Sequence, residues 1–414
     1  TMAQDIAALL DVQGYVVYGV EVKEGEVLLR VGRPRKEARC PHCGRVSRRV
    51  HAAGRPCRKL HGWVGARKVY LVLRRRRFLC KDCGKTFSEP APGIRPWARM
   101  TDRAQAQLLA DLAHSSFSAV ARRRGTSYSA IRRVLETQVP LAPDPRPMLP
   151  PEGGISLGID EHSFRGNNLV VTVTCLRPVR MLLAILPDDR LRTLRGYLKS
   201  LPREFKDRVE EVCIDMKEGY RKLIREVLPG ARVVVDKFHV IQDANRRVDE
   251  ARRIEQQVQR EAGKRGIGVA IPKWPLLKNR ERLTAKREQV LDRVLRGYPN
   301  LAAFYRLKED LRAVYASPGP QEAAERLSRA IMNAEAGEDA ELRRWSRTLR
   351  HWRAEILAYF HRRTTNGFVE GLHTKIKLLK RASYGFRNVG VYVRRLLLAC
   401  LATILAPLAP HLLT

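Results

Sequence analysis

The sequence predicts a multidomain α/β protein, in which a cysteine-bearing β module and a small helical module precede an α/β core that a long helical segment interrupts. Three observations favour this fold class. Two Cys-x-x-Cys-Gly pairs lie near the start, a helix–glycine–helix stretch follows them, and two later apolar runs each end in an aspartate. A chain of 414 residues has room for about two to four such domains.

The charge of the chain indicates a polyanionic partner. Lys and Arg number 79 against 43 Asp and Glu, and the formal net charge is +36. In a globular protein without a partner, this many excess positive side chains would repel one another. The basic residues are also spread along the chain. We therefore expect an extended contact with double-stranded DNA. A ribosome-like or merely solubilising basic surface is the alternative.

The ends of the chain carry no membrane or secretion pattern. The first residues do not resemble a signal peptide, so we expect a cytoplasmic, nucleoid-associated protein. The apolar run at residues 396–406 is shorter than the about 20 residues that a membrane span needs. We expect a buried terminal helix there.

The cysteine spacing predicts a zinc ribbon. Residues 15–31 predict a β-hairpin that turns at Gly25, and residues 69–73 predict a strand between the two cysteine pairs. The glycine after each pair permits a turn that points backbone amides at sulfur, and four thiolates satisfy tetrahedral zinc. The predicted ligands are Cys40, Cys43, Cys80 and Cys83.

Other residues of this module are expected to be surface residues or DNA contacts. His51, Cys57 and His61 lie between the pairs; one of them could replace a ligand, but we expect spare surface residues. A basic run leads into the second pair and is a candidate DNA contact. It consists of Arg74, Arg75, Arg76 and Arg77.

The next segment has the spacing of a helix-turn-helix. Thr101 can cap a helix over 102–113, a second helix spans residues 117–124, and Gly125 ends it. Thr126 or Ser127 caps a third helix that runs to about residue 138. The start of that helix carries the candidate DNA contacts Ser127, Tyr128, Ser129, Arg132 and Arg133. An ordinary helical hairpin gives the same pattern. A proline-rich linker follows.

The order of elements after the linker is ribonuclease-H-like. The predicted strands are 155–160, 169–176, 180–186, 211–215 and 232–236, with helices at 189–200 and 217–228. In that fold the first acid leaves the first strand and the second leaves the fourth strand, where Asp160 and Asp215 fall. Carboxylates held at strand ends can bind divalent cations. Two such cations about 4 Å apart can activate a water and stabilise a leaving oxygen in phosphodiester chemistry.

A helical and charged segment precedes the last candidate acid. It is too long for a loop and predicts an inserted helical domain, with Trp345 and Trp352 in its core and base stacking as the alternative. On the later helix, Glu370 shares a face with cations that can hold a DNA phosphate. The candidate DNA contacts after it are Lys375, Lys377, Lys380, Arg381 and Arg387.

These features predict a succession of domains. The predicted boundaries are 1–95 for the β and zinc-ribbon domain, 96–140 for the helix-turn-helix, 141–153 for the linker, 154–242 for the first part of the core, 243–363 for the helical insertion, and 364–414 for the core's C-terminal helices with the catalytic Glu.

The motifs resemble those of bacterial insertion-sequence transposases of the ISL-three group, which is related to the Mutator-like and wider DDE transposases. The most specific strings are Cys40-Pro-His-Cys43 with Cys80-Lys-Asp-Cys83, Gly158-Ile-Asp-Glu-His162, Asp215-Met216, Val235-Asp-Lys-Phe-His-Val240, Val369-Glu-Gly-Leu372, Lys375-Ile-Lys-Leu-Leu-Lys-Arg381 and Tyr384-Gly-Phe-Arg-Asn388. The resemblance implies binding to terminal inverted repeats, cleavage at the ends of the element, and joining of the 3′ ends to target DNA. It also implies two Mg²⁺ ions, with Mn²⁺ as a substitute, and a homodimer or higher multimer.

The resemblance assigns Asp160 and Glu370 as catalytic acids and leaves the middle acid open. Asp236 stands in the more distinctive string, whereas strand order favours Asp215. We expect Asp215 to be the middle acid, with Asp236 and His239 supporting the site from outside or positioning DNA.

Two further observations bear on activity. Similar proteins tend to have asparagine after the Glu-Gly-Leu stretch, where this chain has His373-Thr374, which could alter the outer ligand shell. The alternatives to an active transposase are a catalytically inactive zinc-ribbon and helix-turn-helix DNA-binding regulator and a structure-selective nuclease. The three acids and the separate DNA-binding modules favour the transposase.

Overall fold

The computed structural model describes residues 2–261 and 270–400. Contacts divide the chain into two compact units. One contains the residues up to 141 together with those from 376 onward, and the other contains residues 142–375.

The first unit begins with a helix and nine strands. These are α1 (Met2–Leu9), β1 (Val16–Lys23), β2 (Glu26–Gly32), β3 (Ala38–Arg39), β4 (Val46–Ser47), β5 (Val50–Ala53), β6 (Cys57–Val64), β7 (Arg67–Leu73), β8 (Arg76–Leu79) and β9 (Thr86–Ser88). The predicted hairpin is confirmed, because β1 and β2 pair antiparallel across Gly25, whose φ of +73° suits a tight turn. The main sheet has the order β1-β2-β7-β6, and small sheets β3-β4 and β5-β8-β9 carry the cysteine turns.

Three short helices follow: α2 (Asp102–His114), α3 (Phe117–Arg124) and α4 (Tyr128–Gln138). Their predicted ends are confirmed by local chemistry. The side chains of Thr101 and Ser127 accept hydrogen bonds from the first turns of α2 and α4, and Gly125 ends α3 with a φ of +54°. A 3-10 turn at Arg146–Met148 interrupts the predicted linker.

The second unit contains a mixed five-stranded sheet. Its elements are β10 (Ile155–Arg165), β11 (Asn168–Arg177), β12 (Met181–Leu186), α5 (Leu191–Ser200), α6 (Arg203–Asp207), β13 (Val209–Ile214), α7 (Glu218–Val227) and β14 (Arg232–Val235). The order is β12-β11-β10-β13-β14; the first three strands are antiparallel, and β13 and β14 run parallel to β10. One correction concerns β10, which does not end at Asp160 but continues to Arg165 in the hairpin with β11.

Helices occupy the rest of the second unit. They are α8 (Lys237–Glu261), α9 (Lys273–Leu277), a 3-10 turn (Arg280–Arg282), α10 (Ala285–Gly297), α11 (Pro299–Ala316), α12 (Pro320–Glu335), α13 (Ala340–His351) and α14 (Arg353–Arg362). The next helix, α15 (Gly367–Ala382), begins in this unit, and its residues from 376 onward belong to the first unit. The helical segment thus begins directly after β14. Trp345 and Trp352 are buried in its core, which confirms the prediction for both. None of the helices in the described ranges has the length and apolar character of a membrane span.

The last described helix, α16 (Val389–Cys400), belongs to the first unit. It packs against α2 and α4, and its Arg394 and Arg395 donate hydrogen bonds to the carbonyls of Val139 and Ser115. The predicted terminal helix is buried as far as Leu398, while residues 401–406 of that prediction lie outside the described residues.

Candidate functional site

Two aspartates converge where strands β10 and β13 separate. The parallel pairing of these strands runs as far as Gly158 opposite Cys213. Asp160 lies two residues further along β10, and Asp215 is the first residue after β13. The parallel pairing of β10 and β13 therefore ends just before the two carboxylates, whose oxygens come within 4.8 Å of each other.

His239 joins this pair from the first turn of α8. Its Nε2 atom lies 2.8 Å from Oδ1 of Asp215 and 3.8 Å from Oδ1 of Asp160. Ligand atoms of the three side chains all lie within 4.8 Å of one another. Two carboxylates and an imidazole at this spacing fit a divalent cation. Sequence reasoning assigned His239 only a supporting role.

Asp236 lies beside the cluster but faces the interior. Its side chain is 0 % exposed, whereas that of Asp215 is 20 % exposed. Oδ1 of Asp236 accepts a hydrogen bond from the backbone amide of Asn366 at 3.2 Å, and Oδ2 lies 4.0 Å from Nε2 of His239. This carboxylate thus ties β14 to the segment that precedes α15.

Glu370 lies on the first turn of α15, outside the tight group of Asp160, Asp215 and His239. Its Oε1 atom is buried and has no hydrogen-bond partner among the described residues. Burial and the charge of Asp236 raise the pKa of Glu370, while His239 lowers it. The structure thus groups Asp160 and Asp215 with His239, and the assignment of Glu370 as the third acid stays a prediction.

Burial and crowding of charge shape the titration of the site. Burial and the nearby Asp215 raise the pKa of Asp160 to about 6, although His239 works in the opposite direction. Burial lowers the pKa of His239, but the carboxylates of Asp215, Asp160 and Asp236 outweigh it and raise that pKa above its ordinary value. Negative charge gathered in a half-buried opening is the electrostatic condition for binding a divalent cation.

A histidine pair supports Asp160 from the other side. Nδ1 of His373 lies 3.6 Å from Oδ2 of Asp160. Nε2 of the same ring lies 3.2 Å from Oγ1 of Thr172, which is also 2.9 Å from Nδ1 of His162. Thr172 is the cross-strand neighbour of Asp160 on β11. The departure from the family pattern at His373 therefore falls directly beside a candidate ligand.

Asn366 is a structural residue of the site that sequence reasoning missed. It is fully buried, and its side-chain amide points at the carbonyl of Ile159 with a separation of 3.5 Å. A Cβ at Gly158 would lie only 2.6 Å from Oδ1 of Asn366, so the glycine makes room for this contact. The available signal was its place at the start of the helix that carries Glu370.

An open cleft of about 750 Å³ adjoins the acids. It is lined by Asp215, Met216, Lys217, His239, Gln242, Asp243, Asn245, Arg246, Asp249, Lys273 and Leu277. Lys217 also forms an ion pair with Glu161, the neighbour of Asp160. Asp215 and His239 thus open to solvent on the side of α8, where cations are interspersed, whereas the Asp160 side chain is only 8 % exposed.

The four predicted zinc ligands meet in one cluster. Sγ atoms of Cys40 and Cys83 are 3.7 Å apart, and those of Cys43 and Cys80 are 3.5 Å apart. Four sulfurs at about 2.3 Å from a tetrahedral zinc are separated by about 3.8 Å. The thiols therefore fit structural Zn²⁺.

The spare residues of the ribbon lie outside this cluster. Cys57 begins β6 of the main sheet and packs against the apolar core of that sheet, and His51 is exposed. The expectation of a surface position is wrong for His61, which is 4 % exposed, with its ring nitrogens 3.2 Å from Thr101 Oγ1 and 2.9 Å from the carbonyl oxygen of Leu10. Burial lowers the pKa of His61 to about 4.

Not every arginine of the basic run faces solvent. Arg76 pairs with the buried Glu89 at 2.9 Å, and Arg75 donates to the carbonyl of Glu89. Arg74 and Arg77 are exposed, although Arg77 also donates to Thr86. The run is therefore half structural, because two of its members hold β8 against β9.

The start of α4 presents polar and basic side chains to solvent. Ser127, Tyr128 and Arg133 are exposed, while Arg132 is half-buried and paired with Glu136 at 2.9 Å. The phenol ring of Tyr128 packs against Phe117 with 4.9 Å between centroids, which fixes α4 against α3. The later basic candidates Lys375, Lys377, Arg381 and Arg387 are exposed, and Lys380 is half-buried.

Comparisons with known protein families match three parts of the chain. Residues 36–83 match the zinc-finger of transposase IS204/IS1001/IS1096/IS1165, residues 89–139 match the helix-turn-helix domain of transposase family ISL3, and residues 157–396 match the ISL3 transposase model.

Curated relatives agree. The chain is 28 % identical over 383 residues to the transposase for insertion sequence element IS1001 of Bordetella parapertussis, covering 91 % of this chain and 93 % of that protein. It is 26 % identical over 258 residues to the transposase for IS1557 of Mycobacterium tuberculosis, covering 56 % and 57 %. A solved structure, the Drosophila P element transposase strand transfer complex, aligns at 14 % identity and a TM-score of 0.40 over 75 % of this chain and 94 % of that one.

The match to the family models identifies the family of this chain. The ISL3 transposase model covers more than half of the chain, and the cysteine cluster and the three capped helices lie where the zinc-finger and helix-turn-helix models match. The chain therefore belongs to the ISL3 family of transposases, and it is a DNA transposase with zinc-ribbon and helix-turn-helix domains.

Proposed function

We propose that this transposase is catalytically active, cleaves at the terminal inverted repeats of its insertion sequence and joins the ends to target DNA. The observation that carries the proposal is the cluster of Asp160, Asp215 and His239 at an open cleft, with the orphaned Oε1 atom of Glu370 nearby. A buried carboxylate oxygen without a partner is costly unless a cation satisfies it.

The proposed catalytic acids are Asp160, Asp215 and Glu370. The metal content we propose is two Mg²⁺ ions, replaceable by Mn²⁺, which when bound supply an activated water and stabilise the leaving oxygen. Asp160 and Asp215 provide the anionic charge at the cleft, and Asn366 and the His162–Thr172–His373 group hold the backbone and side chains around them.

The choice of Asp215 over Asp236 as the middle acid has two supports. Asp215 is the partly exposed carboxylate that lines the cleft, and together with Asp160 and His239 it forms a group that could hold a metal ion. Asp236 is fully buried, and one of its oxygens is already used by the amide of Asn366. In this proposal His239 orients Asp215 or completes the ligand set, a larger role than strand order alone indicated.

We also propose that the core is ribonuclease-H-like and that residues 243–363 are a helical insertion in it. The sheet order β12-β11-β10-β13-β14, with three antiparallel strands followed by two parallel ones, supports that fold. The domain boundaries predicted from sequence stand as proposals. The packing of α16 on α2 and α4 supports an additional role for the C-terminal residues in completing the helix-turn-helix core.

Recognition of the ends is proposed for the ribbon and the helix-turn-helix. The exposed residues Ser127, Tyr128 and Arg133 at the start of α4 support base or phosphate contacts there. Arg74 and Arg77 are the members of the ribbon's basic run best exposed for phosphate contacts, and the basic residues of α15 and the turn after it are further candidates. Assembly as a homodimer or higher multimer on paired ends is part of the proposal.

Cleavage of a labelled duplex that carries the element's terminal repeat tests the function. We expect Mg²⁺-dependent release of a 3′ end and its transfer to a second duplex, and loss of both steps on chelation or in Asp160→Asn. Tight, sequence-specific end binding without cleavage in either Mg²⁺ or Mn²⁺ would instead favour the inactive regulator.

A further inference from the structure

Tyr384 presents its ring to solvent in the turn between α15 and α16. The residue is 95 % exposed, although a tyrosine is large and half of it is apolar. A single exposed aromatic is common on protein surfaces. The exposure of Tyr384 therefore has to be considered together with its backbone conformation and the cations beside it.

The turn holds Tyr384 in a conformation that suits glycine. Its φ is +55°, in the left-handed region that a residue with a Cβ rarely adopts. The amide of Gly385 donates to the carbonyl of Lys380 at 3.0 Å, which is the hydrogen bond of a Schellman cap with Tyr384 at the position where glycine is usual. A tyrosine here is less favourable for the backbone than a glycine, so the folded structure alone gives no reason for it.

Both sides of the turn are anchored. The Schellman hydrogen bond fastens it to the end of α15. On the other side, the Phe386 ring packs against the buried Tyr392 with 5.2 Å between centroids. Oδ1 of Asn388 accepts from the amide of Val391 at 2.9 Å and caps α16. The exposed ring therefore projects from a rigid support, which reduces the entropy lost when it binds a partner.

The neighbouring side chains favour a nucleic acid. Lys377 and Arg381 are exposed on the last turns of α15, and Arg387 is exposed three residues after Tyr384. Cations attract phosphates, and an aromatic face stacks on any base whose own face is open. Bases inside a duplex are covered on both faces, so away from a duplex terminus the ring requires a base that has left the stack.

We propose that Tyr384 stacks on an unpaired base of bound DNA, with Arg381 and Arg387 holding the adjoining phosphates. This proposal rests on the DNA-binding function of the transposase. The ligand it specifies is a base that is exposed at a strand end, at a nick or at a flipped position. The contact is separate from recognition of the repeat by α4, which requires paired bases.

Binding of the full-length protein to two duplexes tests the inference. One is a fully paired transposon end, and the other is the same end with an unpaired 2-aminopurine overhang. We expect the parent and Tyr384→Phe to prefer the overhang duplex and to quench its fluorescence, because both variants retain the ring. Tyr384→Gly should lose about 5- to 100-fold of affinity for the overhang duplex and little for the paired one.

The glycine variant separates binding from folding. Glycine is favoured at this φ, so Tyr384→Gly should melt at the same temperature as the parent or higher. Asn tolerates the same conformation, and Tyr384→Asn provides a second ring-free variant. If both variants keep the overhang preference and the quenching, or if the parent shows neither, the stacking contact does not exist. Continued binding to the paired end in those cases would leave the proposed end recognition intact.

Discussion

Nε2 of His239 lies 2.8 Å from Oδ1 of Asp215, so the first turn of α8 directly contacts the residue that follows β13. This contact ties together two segments that a whole helix and strand separate along the chain. It also makes Asp215 part of a three-residue group with Asp160, while Asp236 on the intervening strand end faces inward.

The two candidate middle acids can be separated by isosteric substitution. Asp215→Asn should reduce single-turnover cleavage of the transposon end by more than about 100-fold, because a metal ligand contributes more than the outer-shell partners whose loss typically costs 10–100-fold. Asp236→Asn should reduce cleavage less, since Asn retains the oxygen that accepts from the amide of Asn366. End binding should be unchanged in both. Near-parent cleavage by Asp215→Asn together with loss in Asp236→Asn would reverse the assignment.

Asp160 predicts a pH-dependent cost in the metal-free protein. Its folded pKa is about 6, raised by burial and by Asp215. A raised carboxyl pKa means that the folded state holds the proton more tightly, so the free energy of unfolding falls as pH rises from about 4 to about 6. At about pH 7.5, Asp160→Asn should therefore raise the free energy of unfolding of the metal-free protein by at most about 3 kcal/mol, and its melting temperature should rise accordingly. At about pH 4 the substitution should have little effect on either quantity.

Thermal melts in a chelator, run on parent and Asp160→Asn across that pH range, measure this effect. Added Mg²⁺ or Mn²⁺ should raise the melting temperature of the parent at neutral pH and not that of the variant, because the ion interacts with the charge that the variant lacks. A variant that is less stable than the parent at every pH would contradict the crowding of charge at the site.

The zinc ribbon predicts about one zinc per chain. Cys40→Ser should remove that zinc and unfold the ribbon, since four thiolates supply the tetrahedral site. Cys57→Ser is the matched control, because Cys57 lies between the pairs but outside the cluster. Elemental analysis of the purified variants distinguishes them. Full zinc content in Cys40→Ser, or loss in Cys57→Ser, would show that the ligands are assigned wrongly.

On the helix-turn-helix, Arg133 should contribute more to DNA binding than Arg132. Arg133 is exposed, whereas Arg132 is half-buried and paired with Glu136. Arg133→Ala should reduce the slope of binding against salt by about 1 if it holds a phosphate, or cost about 1–3 kcal/mol and relax specificity if it reads a base. Arg326→Ala, on α12 in the other compact unit, controls for loss of net charge. Salt titrations of end binding that are identical for Arg133→Ala and the control would exclude the contact.

Local chemistry determined much of this protein, and sequence alone revealed it. Thr101 caps the start of α2 and Gly125 ends α3 through hydrogen bonds within a few residues, and the cysteine turns depend on the glycine after each pair. These features need no distant partner. The succession of strands along the chain also follows from local apolar patterns. For this reason the position of Asp215 after the fourth strand of the core could be predicted.

Only the tertiary structure decided which side chains meet. The separation of Glu370 from the aspartate pair, the entry of His239, the inward turn of Asp236 and the burial of His61 each depend on how elements far apart in the chain pack together. Asn366 shows the reason most clearly: its amide matters because β14 ends opposite it and Gly158 leaves it room. A pattern of residues specifies the elements that form, but the distance between two side chains is set by the core that holds those elements together.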